Sequence, residues 1–257
     1  MSDKNLALTF DRANFEPSEP YERKELVAPV GKCEAVFCDF DGTITIEDVV
    51  DKLLTIYADQ HWKEIEKLWE EGKIGSEECL RLQLGGIENL SEHELLRFAL
   101  GIEIDPYFPD FLSALTKNGM DFYIVSDGFD WLIKLILLNN GISTVPVFAN
   151  RLQVGDSRPI PSFPFRSKDC YMKSGMCKCS IIDKYEGDMT VTYIGDGESD
   201  ICAVRKADIV FAKNRLSDHC RRNGIDFIEF SSFDDVSRIL FNKEKKNADR
   251  QRNIKTG

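Results

Sequence analysis

The chain has 257 residues, with 33 Lys and Arg against 44 Asp and Glu and a formal net charge of −11. A chain of this length can bury a sizeable core. Its acidic balance lacks the basic footprint that displaces counterions from nucleic-acid phosphates or docks on an anionic membrane. Hydrophobic residues at 42% and aromatic residues at 11% exclude wholesale disorder. No run approaches the roughly 18 apolar residues of a membrane span; the longest, Trp131 to Leu138, is broken by Lys134. Met1-Ser2-Asp3-Lys4 does not open a signal peptide, and the 8 scattered cysteines are expected as reduced thiols in a cytoplasmic protein.

Residues 1–32 are polar, carry Pro17, Pro20 and Pro29, and are expected to form an N-terminal extension. Ala35-Val36-Phe37-Cys38 is a short continuous apolar run, the pattern of a strand buried on both faces. From Glu47 to Gly101 the apolar residues recur at helical spacing, as in Val49, Val50, Leu53, Leu54 and Tyr57. Ser76 with Glu77 and Glu78, and Ser91 with Glu94, are predicted helix N-caps, the second as a capping box. Strand signals return at Phe122–Val125, Val145–Phe148, Val191–Ile194 and Ile209–Phe211, with helical segments at Trp131–Leu138 and Ile201–Lys206. Such alternation predicts an α/β fold, a Rossmann-like parallel sheet with helices on both faces. The helical block after the first strand is then an inserted α-helical cap. Boundaries follow: core at 33–46 and 106–241, cap at 47–105, and a basic tail at 242–257.

Active sites of open α/β sheets lie beyond the carboxyl ends of the strands. The first strand runs into Asp39-Phe40-Asp41-Gly42-Thr43, a second into Ser126-Asp127-Gly128, and a later one into Gly195-Asp196-Gly197-Glu198-Ser199-Asp200, with Lys178 just ahead of it. Two carboxylates about 4 Å apart repel by roughly 4 kcal/mol at an effective dielectric near 20. Asp39, Asp41, Asp196 and Asp200 together therefore call for a cation, and an all-oxygen set suits Mg²⁺.

In this order the four elements resemble the motif set of the haloacid dehalogenase superfamily in its phosphatase form, over residues 33 to 240. The position of the helical block resembles the phosphoserine-phosphatase-like subclass. Within it, Asp39 through Asp48 and the Cys-rich segment Cys170 to Cys179 are similar to the methionine-salvage phosphatases that act on 2-hydroxy-3-keto-5-methylthiopentenyl-1-phosphate.

The resemblance implies roles. Asp39 is the nucleophile, and Asp41 the general acid and then the general base. Ser126, Asp127, Gly128 and Lys178 bind phosphate, Lys178 as a point charge. Mg²⁺ is held by Asp39, the Asp41 carbonyl and Asp196, with Asp200 completing the acidic set or orienting it. Asp48 and Arg81 are candidate substrate contacts. Cys170, Cys177 and Cys179 match no zinc spacing and are read as thiols. The implied activity is a Mg²⁺-dependent phosphomonoester hydrolase of a small phosphorylated metabolite, through an aspartyl-phosphate, with no nucleic-acid or membrane partner. Two alternatives share the sequence: a phosphotransferase to a small acceptor, and a catalytically silent protein using the fold for binding or regulation.

Overall fold

A computed structural model describes residues 33–154, 158–185 and 189–241. The expected N-terminal extension and basic tail lie outside the described residues. The first strand, β1 (Cys33–Cys38), is followed by five helices before the chain returns to the sheet, the first four being α1 (Val49–Tyr57), α2 (Trp62–Glu70), α3 (Ser76–Gly85) and α4 (Glu92–Leu100). Then come α5 (Phe108–Lys117), β2 (Asp121–Phe129), α6 (Asp130–Asn139), β3 (Val147–Val154) and β4 (Pro159–Ser162). The last part holds α7 (Lys178–Ile182), β5 (Met189–Gly195), β6 (Ile209–Ala212), α8 (Asn214–Asn223) and β7 (Ile228–Glu229). Residues 233–241 are helical as well.

The seven strands form one sheet in the order β4-β3-β2-β1-β5-β6-β7, parallel except for the β3–β4 pair. β1 is central, and Ala35 through Cys38 are fully buried. Because successive strand side chains face opposite ways, Val36 and Cys38 enter one core with Phe122, Ile124 and Ile194. Ala35 and Phe37 enter a second core with Tyr123, Val125 and Tyr193 on the other face. The continuous apolar run thus reports burial on both sides, as parallel sheets require. Cys38 lies level with Ile124 of β2 and Ile194 of β5. The residues that follow these strands therefore emerge side by side. Successive strands are added on opposite sides of β1, which makes this rim the switch point where open α/β sheets bind ligands.

Two local expectations differ from the structure. Ser76 is not a cap; Gly75 precedes α3, and the Ser76 hydroxyl is turned to the core instead. The capping box of Ser91 and Glu94 is present. Ile201–Lys206 forms 3-10 turns around Glu198–Asp200 and Ala203–Lys206 rather than a helix, because the chain must bend to carry Asp200 inward. Pro159 and Pro161 lie in β4, an edge strand, where proline's missing N–H costs no ladder bond.

Candidate active site

β1 ends by handing Asp39 to the rim, where its backbone N–H donates to the Ile194 carbonyl at 2.9 Å. The next residues fold tightly: the Phe40 carbonyl accepts from the N–H groups of Thr43, Ile44 and Thr45. Gly42 turns this loop at φ +68°, and a Cβ there would sit 2.7 Å from Asp196 Oδ2, so both the turn and the packing demand glycine. Gly128 is equally constrained, since its Cβ would meet Asp41 Oδ2 at 2.3 Å.

The loop brings together residues that lie far apart in the chain. Lys178, fully buried, directs Nζ to Asp39 Oδ1 at 2.9 Å and to Asp200 Oδ1 at 2.5 Å. Nζ also donates to Ser199 Oγ at 2.9 Å. Burial alone would push the ammonium pKa down; Asp200 and Asp39 outweigh it and hold the group charged. Asp41 Oδ2 accepts from Ser126 Oγ at 3.1 Å, and Ser126 Oγ in turn accepts from the Gly128 N–H at 2.9 Å. Asp196 accepts from Thr43 Oγ1 at 2.8 Å and from the Asn214 amide at 3.3 Å.

The electrostatics are those of crowded carboxylates. Burial, then the charge on Asp200, raises the Asp39 carboxyl well above its usual range, with Lys178 working the other way. Burial and Asp200 likewise raise Asp196. Asp41 is pushed up to about 8 by burial and by the nearby Asp48 carboxylate. Oxygens of Asp39, Asp196 and Asp200 come within 4.8 Å of one another. An all-oxygen, mutually repelling set of this kind fits a hard divalent cation.

Asp200 is placed differently from the other two. Oδ1 accepts from Lys178 and from Tyr193 Oη, and Oδ2 from the backbone N–H groups of Asp196 and Gly197. With both oxygens occupied by four donors, it orients the lysine and the loop bearing Asp196. Of the two roles the sequence left to it, completing the acidic set or orienting it, these contacts favour the second. Asp127 lines the same rim, with its side chain engaged by protein donors. Its carboxylate accepts from Ser76 Oγ at 2.5 Å, from the Asn150 amide at 3.0 Å and from the Met176 N–H at 2.8 Å. A carboxylate so engaged braces the loop and offers a phosphate anion no donor. Arg81 is turned away, paired with Glu77 at 3.1 Å and stacked over the Phe163 ring. It is absent from the residues that line the cavity, so the structure does not support it as a substrate contact.

A cavity of about 430 Å³ opens over this rim, lined by Asp39, Asp41, Gly128 and Asp196 on the sheet side and by Trp62 and Leu80 on the helical side. Asp48 lines it as well and also caps α1 through the Asp51 N–H at 2.8 Å. The sequence reading missed Thr43, Tyr193, Ser199 and Asn214. Asn214 had a signal, since it follows the carboxyl end of β6 as the other site residues follow theirs. Tyr193 had none, because inside a strand it reads as core.

A parallel sheet whose switch point gathers an Asp-x-Asp pair, a buried lysine and a second acidic loop defines the haloacid dehalogenase fold in its phosphatase form. Residues 35–222 match the family model described as "Putative Phosphatase", and the chain belongs to that phosphatase family. It is 29% identical over 204 residues to the 2-hydroxy-3-keto-5-methylthiopentenyl-1-phosphate phosphatase of Bacillus velezensis, covering 78% of this chain and 87% of the relative. The enzyme of the same name from Bacillus cereus is 29% identical over 209 residues, covering 80% and 94%. Among solved structures, the fold is similar to a phosphoserine phosphatase captured as a phospho-aspartyl intermediate analogue. That match has a TM-score of 0.59 and 21% identity, over 79% of this chain and 95% of the other. It is also similar to the phosphoserine phosphatase of T. onnurineus, with a TM-score of 0.63 and 16% identity over 81% and 94%. No helix among the described residues is long and apolar enough to cross a membrane.

Proposed function

We propose that the protein is a Mg²⁺-dependent phosphomonoester hydrolase of a small phosphorylated metabolite, working through a phosphoryl group carried on Asp39. The observation that carries this reading is the wholly buried Lys178 ammonium, 2.9 Å from Oδ1 of Asp39, which lines the cavity together with Asp41. Asp39, Asp196 and the Asp41 backbone carbonyl would hold Mg²⁺. When bound, the ion would neutralise carboxylate and phosphate charge so that an anionic nucleophile can approach a phosphate dianion.

Asp39 attacks phosphorus through its free carboxylate oxygen while Lys178 holds the other and draws off charge from the transferring group. Ser126 Oγ and the N–H groups around Gly128 donate to the phosphate oxygens. Asp41, its carboxyl held up to about 8, retains its proton near neutrality and gives it to the departing alkoxide as the ester bond breaks. The same carboxylate then takes a proton from water, which attacks the phosphorus and frees Asp39 and inorganic phosphate.

Helices α1 to α4 act as a cap over residues 47–105, on a core of residues 33–46 and 106–241, and their closeness to the rim restricts entry to small esters. Asp48, Asp51 and Glu66 line the helical side of the cavity beside Trp62 and Trp69 and outnumber its two cations, Lys63, which lies over the Trp62 ring, and Arg215, which is bonded to Glu70. This wall disfavours a second phosphate or carboxylate on the substrate. The methionine-salvage reading stays within that limit, since the relatives' substrate carries one phosphate and no carboxylate.

A Mg²⁺-supplemented ester panel with phosphate readout tests the proposal, with the methionine-salvage ester, phosphoserine, phosphocholine and pyridoxal phosphate as members. Release from at least one member, abolished by chelation and by Asp39→Asn, is the expected result. Undiminished turnover by Asp39→Asn would refute the assignment. Phosphorylation of an added acceptor without phosphate release would mark a phosphotransferase.

A further inference from the structure

Two thiols flank Lys178 in the chain and meet in space. The Sγ atoms of Cys177 and Cys179 are 3.4 Å apart. Residues two apart on a regular helix project about 200° apart around the axis and cannot touch. These two touch because Cys177 is the residue before α7, with ψ at 89°, while Cys179 belongs to its first turn. Cys177 is buried and Cys179 partly exposed. The Cys179 thiol also contacts that of Cys202.

We propose that Cys177 and Cys179 are an oxidisable pair whose disulfide withdraws Lys178 from Asp39 and Asp200 and so switches off the site. The consequence for activity rests on the role given to Lys178 above; the bridge and the displacement do not. A disulfide needs its sulfurs at about 2.05 Å, well inside the present 3.4 Å. Cys177 cannot readily supply the movement. Its N–H donates to the Phe165 carbonyl, and its own carbonyl accepts from the N–H and hydroxyl of Ser180. The rotation therefore falls on the one residue between the sulfurs, Lys178, which opens a helix of only five residues. Its ammonium spans to Asp39, Asp200 and Ser199 from a fully buried side chain, so a turn of its backbone breaks that set.

The oxidant is a small disulfide of the glutathione class. Cys179 Sγ, the exposed member, loses its proton and attacks one sulfur of that disulfide, forming a mixed disulfide and expelling one thiolate. Cys177 Sγ then loses its proton and attacks Cys179 Sγ, closing the bridge and expelling the second thiolate. Two protein thiols are oxidised, one disulfide is reduced to two thiols, and the two protons pass to the released thiolates. Burial holds the Cys177 thiol above its ordinary pKa, and the Cys202 contact and burial do the same for Cys179, so exchange with the oxidant is slow.

The test incubates the full chain with oxidised glutathione, maps peptides by mass spectrometry, and labels lysines with an acetylating reagent. Expected are a Cys177–Cys179 bridge, acetylation of Lys178 in the oxidised protein but not in the reduced one, and at least a tenfold fall in phosphate release that dithiothreitol reverses. Cys177→Ser and Cys179→Ser should each keep the reduced rate within about twofold and lose the sensitivity. A bridge from Cys179 to Cys202, no bridge at all, or a Cys177–Cys179 bridge with Lys178 still protected would each overturn the proposal. If the reduced protein hydrolyses no ester, the assigned reaction fails, while the bridge and the labelling still decide the thiol chemistry.

Discussion

Asp196 and Asp200 sit four residues apart on one loop and are separated by what their oxygens already hold. Asp196 accepts from two neutral donors and keeps acceptor capacity for a cation, whereas Asp200 is filled by Lys178, Tyr193 and two N–H groups. Asp196→Asn is therefore expected to weaken Mg²⁺ binding by at least tenfold, read by calorimetry, with a melting temperature close to that of the parent. Asp200→Ala is expected to cost about 3–5 kcal/mol of stability in denaturant titration, because it leaves a buried ammonium short of a partner. Equal effects of the two changes on both measurements would remove the distinction. The candidate acids were legible as residues because Asp-x-Asp-Gly-Thr and Gly-Asp-x-x-x-Asp fall at strand ends. Their division of labour was implied only by the family resemblance; in the structure it rests on Tyr193 and the Asp196 and Gly197 N–H groups, whose orientations no spacing records. The helical side of the cavity adds a pH effect. Asp51 is raised to about 6, first by burial and then by Glu66. Between the ordinary carboxyl value of about 4 and this raised one, the folded chain binds a proton that the unfolded chain has lost, so stability falls as pH rises through that window. Thermal melts of Asp51→Asn should match the parent near pH 4, gain on it up to about pH 6, and keep a constant lead above.

The N-terminus of α3 is the joint between the inserted helices and the sheet. Ser76 Oγ donates to Asp127 at 2.5 Å and accepts from the Gly175 N–H at 2.9 Å, so one hydroxyl ties the helices to the rim and to the segment leading into Lys178. Gly75 lies so close that a Cβ would stand 2.3 Å from the Lys173 carbonyl. Ser76→Ala leaves a buried carboxylate and a buried N–H each short of a partner, at a cost of about 1–3 kcal/mol. It should also lower phosphate release, since Asp127 and Gly175 lose their brace. A variant with unchanged stability and rate would show that the joint does not matter. In the sequence Ser76 followed by two glutamates resembled an ordinary cap; only the fold reveals that its hydroxyl serves an aspartate 51 residues away. The Ser91–Glu94 box, by contrast, closes within three residues, and local contacts of that kind are what a sequence displays.

At the scale of the molecule, the apolar runs predicted five of the strands, β1, β2, β3, β5 and β6, and their parallel pairing, whereas the short strands β4 and β7 at the sheet's two edges carry no such run and were not foreseen. The strand order was not contained in them; it follows from packing that places β1 between β2 and β5. That placement is what joins residues 39, 126, 178 and 196 at one rim, and it makes Asp39 the central claim. Acid quenching during turnover of an ester labelled in its phosphate, in the presence of Mg²⁺, tests it directly. Asp39 should carry up to one labelled phosphoryl group per chain, hydroxylamine-labile and absent from Asp39→Asn. Label on a serine or cysteine, or steady turnover by Asp39→Asn, would contradict it.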